Sequence, residues 1–109
     1  MTRLHDLHAE QGQSPWLDNL RRGWITSGEL GRWVERGVRG ITSNPSIFQK
    51  AMTGTDAYDD QLRELVADGT SIEDSYWALV VRDIVDALDI LRPVHDASDG
   101  TDGYVSVEV

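Results

Sequence analysis

Three polar residues stand at or near the ends of apolar runs in this sequence: Asp18 in WLDNL, Asn44 in ITSNP and Glu108 in VSVEV. A carboxylate inside an apolar strand can be desolvated, which raises its pKa and suits it to moving protons. One Asp, one Asn and one Glu, each from a different strand, would then share one cavity. Each also has a plainer reading. Asn44 precedes Pro45 and is a good helix cap by itself. Asp18 can cap the segment after it or turn to solvent, and Glu108 in an alternating strand can lie on a polar face. His5, His8 and His95 lack metal-ligand spacing and read as surface residues. Asn44-Pro45-Ser46 is no glycosylation acceptor, because proline occupies its middle position, and no glycine cluster forms a phosphate loop. The four tryptophans read as packing residues.

The elements that must hold these residues follow from periodicity and punctuation. Residues 3–11 read as a short amphipathic helix through Leu4, Leu7 and His8, ended by Gly12. Residues 14–20 read as a strand. Thr26 and Glu29 fit a capping box opening a helix with Leu30, Trp33 and Val34 inward and Gly37 as its left-handed stop. Residues 38–43 form a second strand. Asn44-Pro45 opens a helix that buries Ile47, Phe48 and Met52. A further helix starts near Asp56 and runs to about Ala67, with Tyr58, Leu62, Leu65 and Val66 as its stripe and Gly69 as its close. Ser71 to Asp74 caps the longest helix, which runs to about Leu91 with Trp77, Val80, Val81, Ile84, Leu88 and Leu91 inward, Arg82, Asp86 and Asp89 outward, and Pro93 as its stop. Residues 104–109 alternate as a strand. The order predicts an α/β architecture with a parallel sheet. In a (β/α)8 barrel the active site is assembled at the carboxyl ends of the strands, where Asp18, Asn44 and Glu108 fall. A last strand with no following element to cover its edge is an aggregation liability, so the chain is expected to be cut from something longer.

Composition narrows the function classes. The length of 109 residues suits one domain. No cysteine is present, which excludes disulfides, thiolate zinc sites and thiol nucleophiles. The opening MTRLHDLHAEQGQ lacks an apolar core for a signal peptide, and no run approaches the ~20 apolar residues of a membrane helix. A cytoplasmic address is expected. The net charge is −9, yet residues 1–55 carry +2 and residues 56–109 carry −11. Without a basic cluster to displace counterions, neither nucleic acid nor an anionic membrane is an expected partner.

Read together, SPWLDNLRRGWITSGEL, VRGITSNPSIFQKAM and DIVDALDILRPVHDASDGTDGYVSVEV resemble the N-terminal portion of a transaldolase, over about Leu4 to Val109. The opening and the long helical section look most like the bacterial branch with a longer N-terminus. The resemblance implies that residues 1–109 are the N-terminal portion, about three strands and their helices, of a (β/α)8 barrel of the class I aldolase type. It implies transfer of a dihydroxyacetone unit from a ketose phosphate (sedoheptulose 7-phosphate or fructose 6-phosphate) to an aldose phosphate (glyceraldehyde 3-phosphate or erythrose 4-phosphate). This is chemistry of the non-oxidative pentose phosphate pathway. A lysine Schiff base carries the transfer, with no metal or organic cofactor. Asp18 would take the proton from the substrate hydroxyl, Asn44 would bind substrate hydroxyls, and Glu108 would shuttle protons through water. Lys50, the sole lysine, does not match the Schiff-base position, which the family places on the strand after residue 109, as it does the phosphate-binding groups further along. The chain alone is therefore expected to be inactive. The alternatives are a sugar-phosphate Schiff-base aldolase that cleaves without transfer, and a non-catalytic α/β module that oligomerises through its open edge. A homo-oligomer is compatible with each.

Overall fold

The computed structural model describes residues 2–44 and 56–107. In chain order the elements are α1 (Arg3–Gln11), β1 (Trp16–Leu17), α2 (Arg22–Thr26), α3 (Glu29–Glu35), β2 (Gly40–Ser43), α4 (Asp59–Ala67), α5 (Ile72–Ala97) and β3 (Tyr104–Val107). The three strands form one parallel sheet in the order β1-β2-β3. Helices intervene between successive strands, as parallel pairing requires.

The register explains where the core sits. Leu17, Ile41 and Val105 lie side by side across the three strands. All three contribute to one apolar cluster with Leu20, Leu30, Val80, Ala87 and Leu91. That face of the sheet is therefore the one covered by α3 and α5. Because a strand alternates faces every residue, Trp16, Gly40, Thr42 and Ser106 belong to the opposite face. Trp16 lies over Gly40 so closely that a Cβ there would fall 2.3–2.7 Å from three indole atoms. Glycine at position 40 is thus required by the neighbour's ring.

The amino ends of the strands are braced separately. Gly37, with φ of +116°, passes so close to α1 that an added Cβ would meet the His5 nitrogen and Leu4 Cβ at 2.9 Å. The Thr2 hydroxyl donates to the Arg36 carbonyl. Asp102, just before β3, accepts from Arg39 Nε at 2.6 Å and has His8 Nε2 at 3.7 Å. Burial pushes the Asp102 carboxyl up, but hydrogen bonds from Arg39 and Ser14 and the charges of Arg39 and His8 more than offset it. The group is held below the usual carboxylate range.

A buried polar cluster joins α2, α4 and α5. Asp83, fully buried, accepts from Arg22 Nε at 2.6 Å and from the Tyr58 hydroxyl at 2.5 Å. Arg22 also donates to Gln61 Oε1 at 2.7 Å and to the Leu79 carbonyl at 3.2 Å, with its guanidinium 4.1 Å from the Tyr58 ring centroid. Burial pushes the Asp83 carboxyl up, against the hydrogen bonds from Tyr58 and Arg22. Burial and the Asp83 contact likewise raise the Tyr58 phenol.

Several sequence expectations need correction. The first strand is two residues long rather than seven, because Asn19 adopts φ of +66° and turns the chain. Thr26 does not cap α3. It is the last residue of the unforeseen helix α2, and its hydroxyl donates back to the Arg22 and Gly23 carbonyls. The cap of α3 is Gly28, whose φ of +79° reverses the chain between two helices. Pro93 does not stop α5, which continues to Ala97. Pro93 and Asp89 both face solvent, where the carbonyl deprived of its partner can bond water. Trp77, Val81 and Leu88 are not inward: they are 39%, 53% and 39% exposed, and the buried side of α5 is instead Ser75, Leu79, Val80, Asp83, Ala87 and Leu91. On α4, Leu62 and Val66 are exposed, and Tyr58 alone of its expected stripe is buried. The α1 helix, its Gly12 stop, the Ser71 cap and the Arg82–Asp86 pair at 2.9 Å match the expectations. The expected helix from Pro45, with Ile47, Phe48, Lys50 and Met52, lies outside the described residues.

Candidate active site

Asp18 follows β1 directly, and its carboxylate sits at the carboxyl end of the sheet. Thr42 of β2 reaches it: Thr42 Oγ1 lies 3.0 Å from Asp18 Oδ1. The same hydroxyl oxygen accepts the Asn19 N–H at 3.0 Å. A threonine hydroxyl has one proton. With its oxygen taken by an amide donor, that proton is directed to the carboxylate. The Leu20 N–H then donates to the Thr42 carbonyl at 2.8 Å. Residues 18, 19 and 20 are thus all held by Thr42.

The neighbouring strand continues this polar row. Thr42 pairs in register with Ser106 of β3, and Ser106 is exposed. Ser43, on the opposite face, is buried and donates from Oγ to the Ser106 carbonyl at 2.8 Å, which ties the two strand ends together. Asn44 follows β2 and is half-buried. Glu108 lies outside the described residues. Asp18 and Thr42 are therefore brought into contact, with Ser106 beside them in the sheet, on the face away from the helices.

Thr42 and Ser106 were not singled out in the sequence, although their spacing held the signal. Each stands two residues before a singled-out residue, Asn44 or Glu108, which is the interval that returns a strand to one face. Trp16 stands two before Asp18 in the same way. Among the described residues, no three His, Asp or Glu side chains stand together as a metal-binding group.

Residues 15–109 match the family model described as transaldolase/fructose-6-phosphate aldolase. The chain belongs to this family. Its matched part begins at Pro15 and so takes in all three strands and Asp18, Thr42 and Asn44; α1 precedes it. Among relatives, it is 51% identical over 111 residues to "Transaldolase 2" of Nostoc punctiforme, covering all of this chain and 29% of that protein. It is 46% identical over 111 residues to "Transaldolase" of Trichodesmium erythraeum, again covering all of this chain and 29% of the relative. Against "Transaldolase 2" of Streptomyces avermitilis it is 47% identical over 102 residues, 93% of this chain and 27% of the relative. The chain thus spans under a third of the length of these transaldolases. Among the described residues, no helix is long and apolar enough to cross a membrane.

Proposed function

We propose that residues 1–109 are the N-terminal portion of a (β/α)8 barrel whose activity is that of a cytoplasmic transaldolase. The reaction would move a dihydroxyacetone unit from a ketose phosphate to an aldose phosphate through a lysine Schiff base formed outside this chain, with no metal or organic cofactor. The observation that carries the reading is the contact of Thr42 with Asp18 at the carboxyl end of a parallel sheet, the end at which barrel enzymes place their chemistry.

In this reading Asp18 is the general base of carbon–carbon cleavage. The hydroxyl two carbons from the imine gives its proton to the carboxylate, the carbon–carbon bond breaks, and its electrons pass to the iminium. In the condensation direction Asp18 returns the proton. The Thr42 hydroxyl, committed to Asp18 Oδ1, leaves Oδ2 for the substrate. Asn44 would bind substrate hydroxyls, and Glu108 would relay protons through water. A sugar-phosphate aldolase would use the same base. The names of the relatives favour transfer to an aldose acceptor over simple cleavage.

The test is Asp18→Asn in the full-length enzyme. A positioned acid–base group contributes about 10²–10⁴-fold, so kcat should fall by that order with KM little changed, because the proton moves only on the way to the transition state. Turnover near wild type would reject the assignment. Residues 1–109 alone should give no sugar adduct on borohydride reduction with fructose 6-phosphate. An adduct on Lys50 seen by intact mass spectrometry would show the nucleophile to be misassigned.

A further inference from the structure

The sheet face that carries Asp18 and Thr42 is built in rows. Trp16, Gly40 and Tyr104 stand in register across the three strands, and Thr42 and Ser106 form the next row on the same face. At about 3.3 Å of rise per residue, the two rows lie about 6.6 Å apart. The lower row is built from one ring. Gly40 contributes no side chain, and the Trp16 indole lies over it, with three ring atoms 2.3–2.7 Å from where a Cβ would stand. Tyr104 does not share that space. Its hydroxyl donates to the Gly100 carbonyl and its ring meets His95 edge-on at 5.6 Å between centroids, so it leans to the turn before β3. The indole therefore covers both β1 and β2 immediately to the amino side of the Asp18–Thr42 contact.

This position bears on which way the reaction ends. At the carboxyl end of the sheet, water shares the approach to Asp18 with the substrates, and an entering aldose displaces it. From the amino end only the protein can keep water out, and there the Trp16 ring stands. The enamine left after the first cleavage has two fates. In transfer, its nucleophilic carbon bonds to the aldehyde carbon of the acceptor, the carbonyl electron pair moves onto oxygen, and that oxygen takes the proton held by Asp18. In release, the same carbon takes a proton from water, and the hydroxide left behind adds to the imine carbon. A proton then passes from that oxygen to nitrogen, and the carbon–nitrogen bond breaks to free dihydroxyacetone and the lysine amine. Asp18 returns its own proton to solvent. Excluding water favours transfer over this side reaction.

We propose that Trp16 is a specificity-determining residue: as the floor beneath Asp18 it keeps water from the intermediate and commits the dihydroxyacetone unit to an aldose acceptor. The proposal rests on the functional reading above. A shorter side chain at position 16 leaves a gap that Gly40 has no side chain to fill. Water is retained where a gap offers polar partners, and the row above supplies the Asp18 carboxylate and the Thr42 and Ser106 hydroxyls.

The experiment places Trp16→Phe and Trp16→Leu in the full-length enzyme, with Leu17→Ala, on the helix-covered face, as a control for lost packing. Each enzyme receives fructose 6-phosphate and erythrose 4-phosphate. Free dihydroxyacetone and sedoheptulose 7-phosphate are measured in the same reaction, so their ratio does not depend on how much of a variant is folded. The ratio of release to transfer should rise about tenfold or more in Trp16→Leu, less in Trp16→Phe, and stay at the wild-type value in Leu17→Ala. An unchanged ratio in both Trp16 variants, an equal rise in Leu17→Ala, or folded Trp16 variants that make neither product would overturn the floor and leave the transaldolase reading standing. A wild-type enzyme that forms no sedoheptulose 7-phosphate would reject that reading, and the role of Trp16 with it.

Discussion

Replacing Asp83 with valine, which is close to it in volume, should be among the most destabilising single changes in the chain. The carboxylate accepts from Arg22 at 2.6 Å and from Tyr58 at 2.5 Å with no exposure to solvent. Valine would strip both donors of their acceptor and leave the Arg22 charge, among the described residues, to Gln61, the Leu79 carbonyl and the Tyr58 ring. The upward push of burial on Asp83 indicates that desolvation outweighs the attraction of the pair. The loss therefore comes from orphaned donors rather than from Coulomb energy gained. Breaking one side of a buried pair costs about 3–5 kcal/mol, a large share of the ~5–15 kcal/mol that holds a domain folded. Urea unfolding followed by tryptophan fluorescence should show the midpoint falling by roughly 2 M, given a slope of about 1–3 kcal/mol per molar for small proteins. The double variant Arg22→Met/Asp83→Val should recover part of the loss, because it removes the charged donor together with its acceptor and leaves only the Tyr58 hydroxyl to find another partner. A single variant costing less than about 1 kcal/mol, or a double variant no better than the single, would refute the account.

In the full-length enzyme Thr42→Val should lower kcat about ten- to hundred-fold, the equivalent of a ~1.5–3 kcal/mol hydrogen bond to a charged group, while Thr42→Ser keeps most of it. Equal effects of the two on steady-state rates would show that the hydroxyl does not serve Asp18. Gly40→Ala should cost about 1–3 kcal/mol by displacing the Trp16 ring. Melting curves should show that cost largely relieved in Gly40→Ala/Trp16→Ala, and a simple sum would contradict the contact. Because the Asp102 carboxyl is held below its ordinary range, the stability it confers is present above the unfolded value of ~3.9 and lost as pH falls through the folded one. Asp102→Asn should accordingly flatten the acid side of a plot of melting temperature against pH, and an unchanged acid limb would count against the clamp.

Much of this organisation was legible because local chemistry decides it. Gly12 and Gly69 stop helices by adopting positive φ, and Ser71 caps α5 through the Asp74 N–H, each as its own residue type dictates. The failures share one cause, which is competition from outside the window being read. Thr26 has a capping sequence, yet α2 claims it first. Trp77, Val81 and Leu88 have helical spacing toward a core, yet α5 is apolar around so much of its circumference that periodicity alone could not say which side meets the sheet. Pro93 lacks an N–H, but the rest of α5 holds the helix through it. Motif and strand ends drew attention to Asp18 and Asn44, whereas the contact of Thr42 with Asp18 and Asn19 depends on a register between strands, across 23 residues of chain in the donation from Asn19.

The three bonds that Thr42 makes to consecutive residues after β1 mean that the geometry of Asp18 is inherited from β2. The loop is set from outside itself: its carboxylate, its left-handed Asn19 and the Leu20 N–H are all bonded to one residue on the adjacent strand, and the Leu20 side chain is anchored in the core. A first strand of two paired residues is then enough, since precision is supplied by the neighbour rather than by length. The same arrangement makes the site indifferent to how β1 is entered. Insertions before Pro15 would lengthen the approach without moving the carboxylate, whereas one residue added between Asp18 and Leu20 would break the triple attachment and turn the carboxylate away from the sheet.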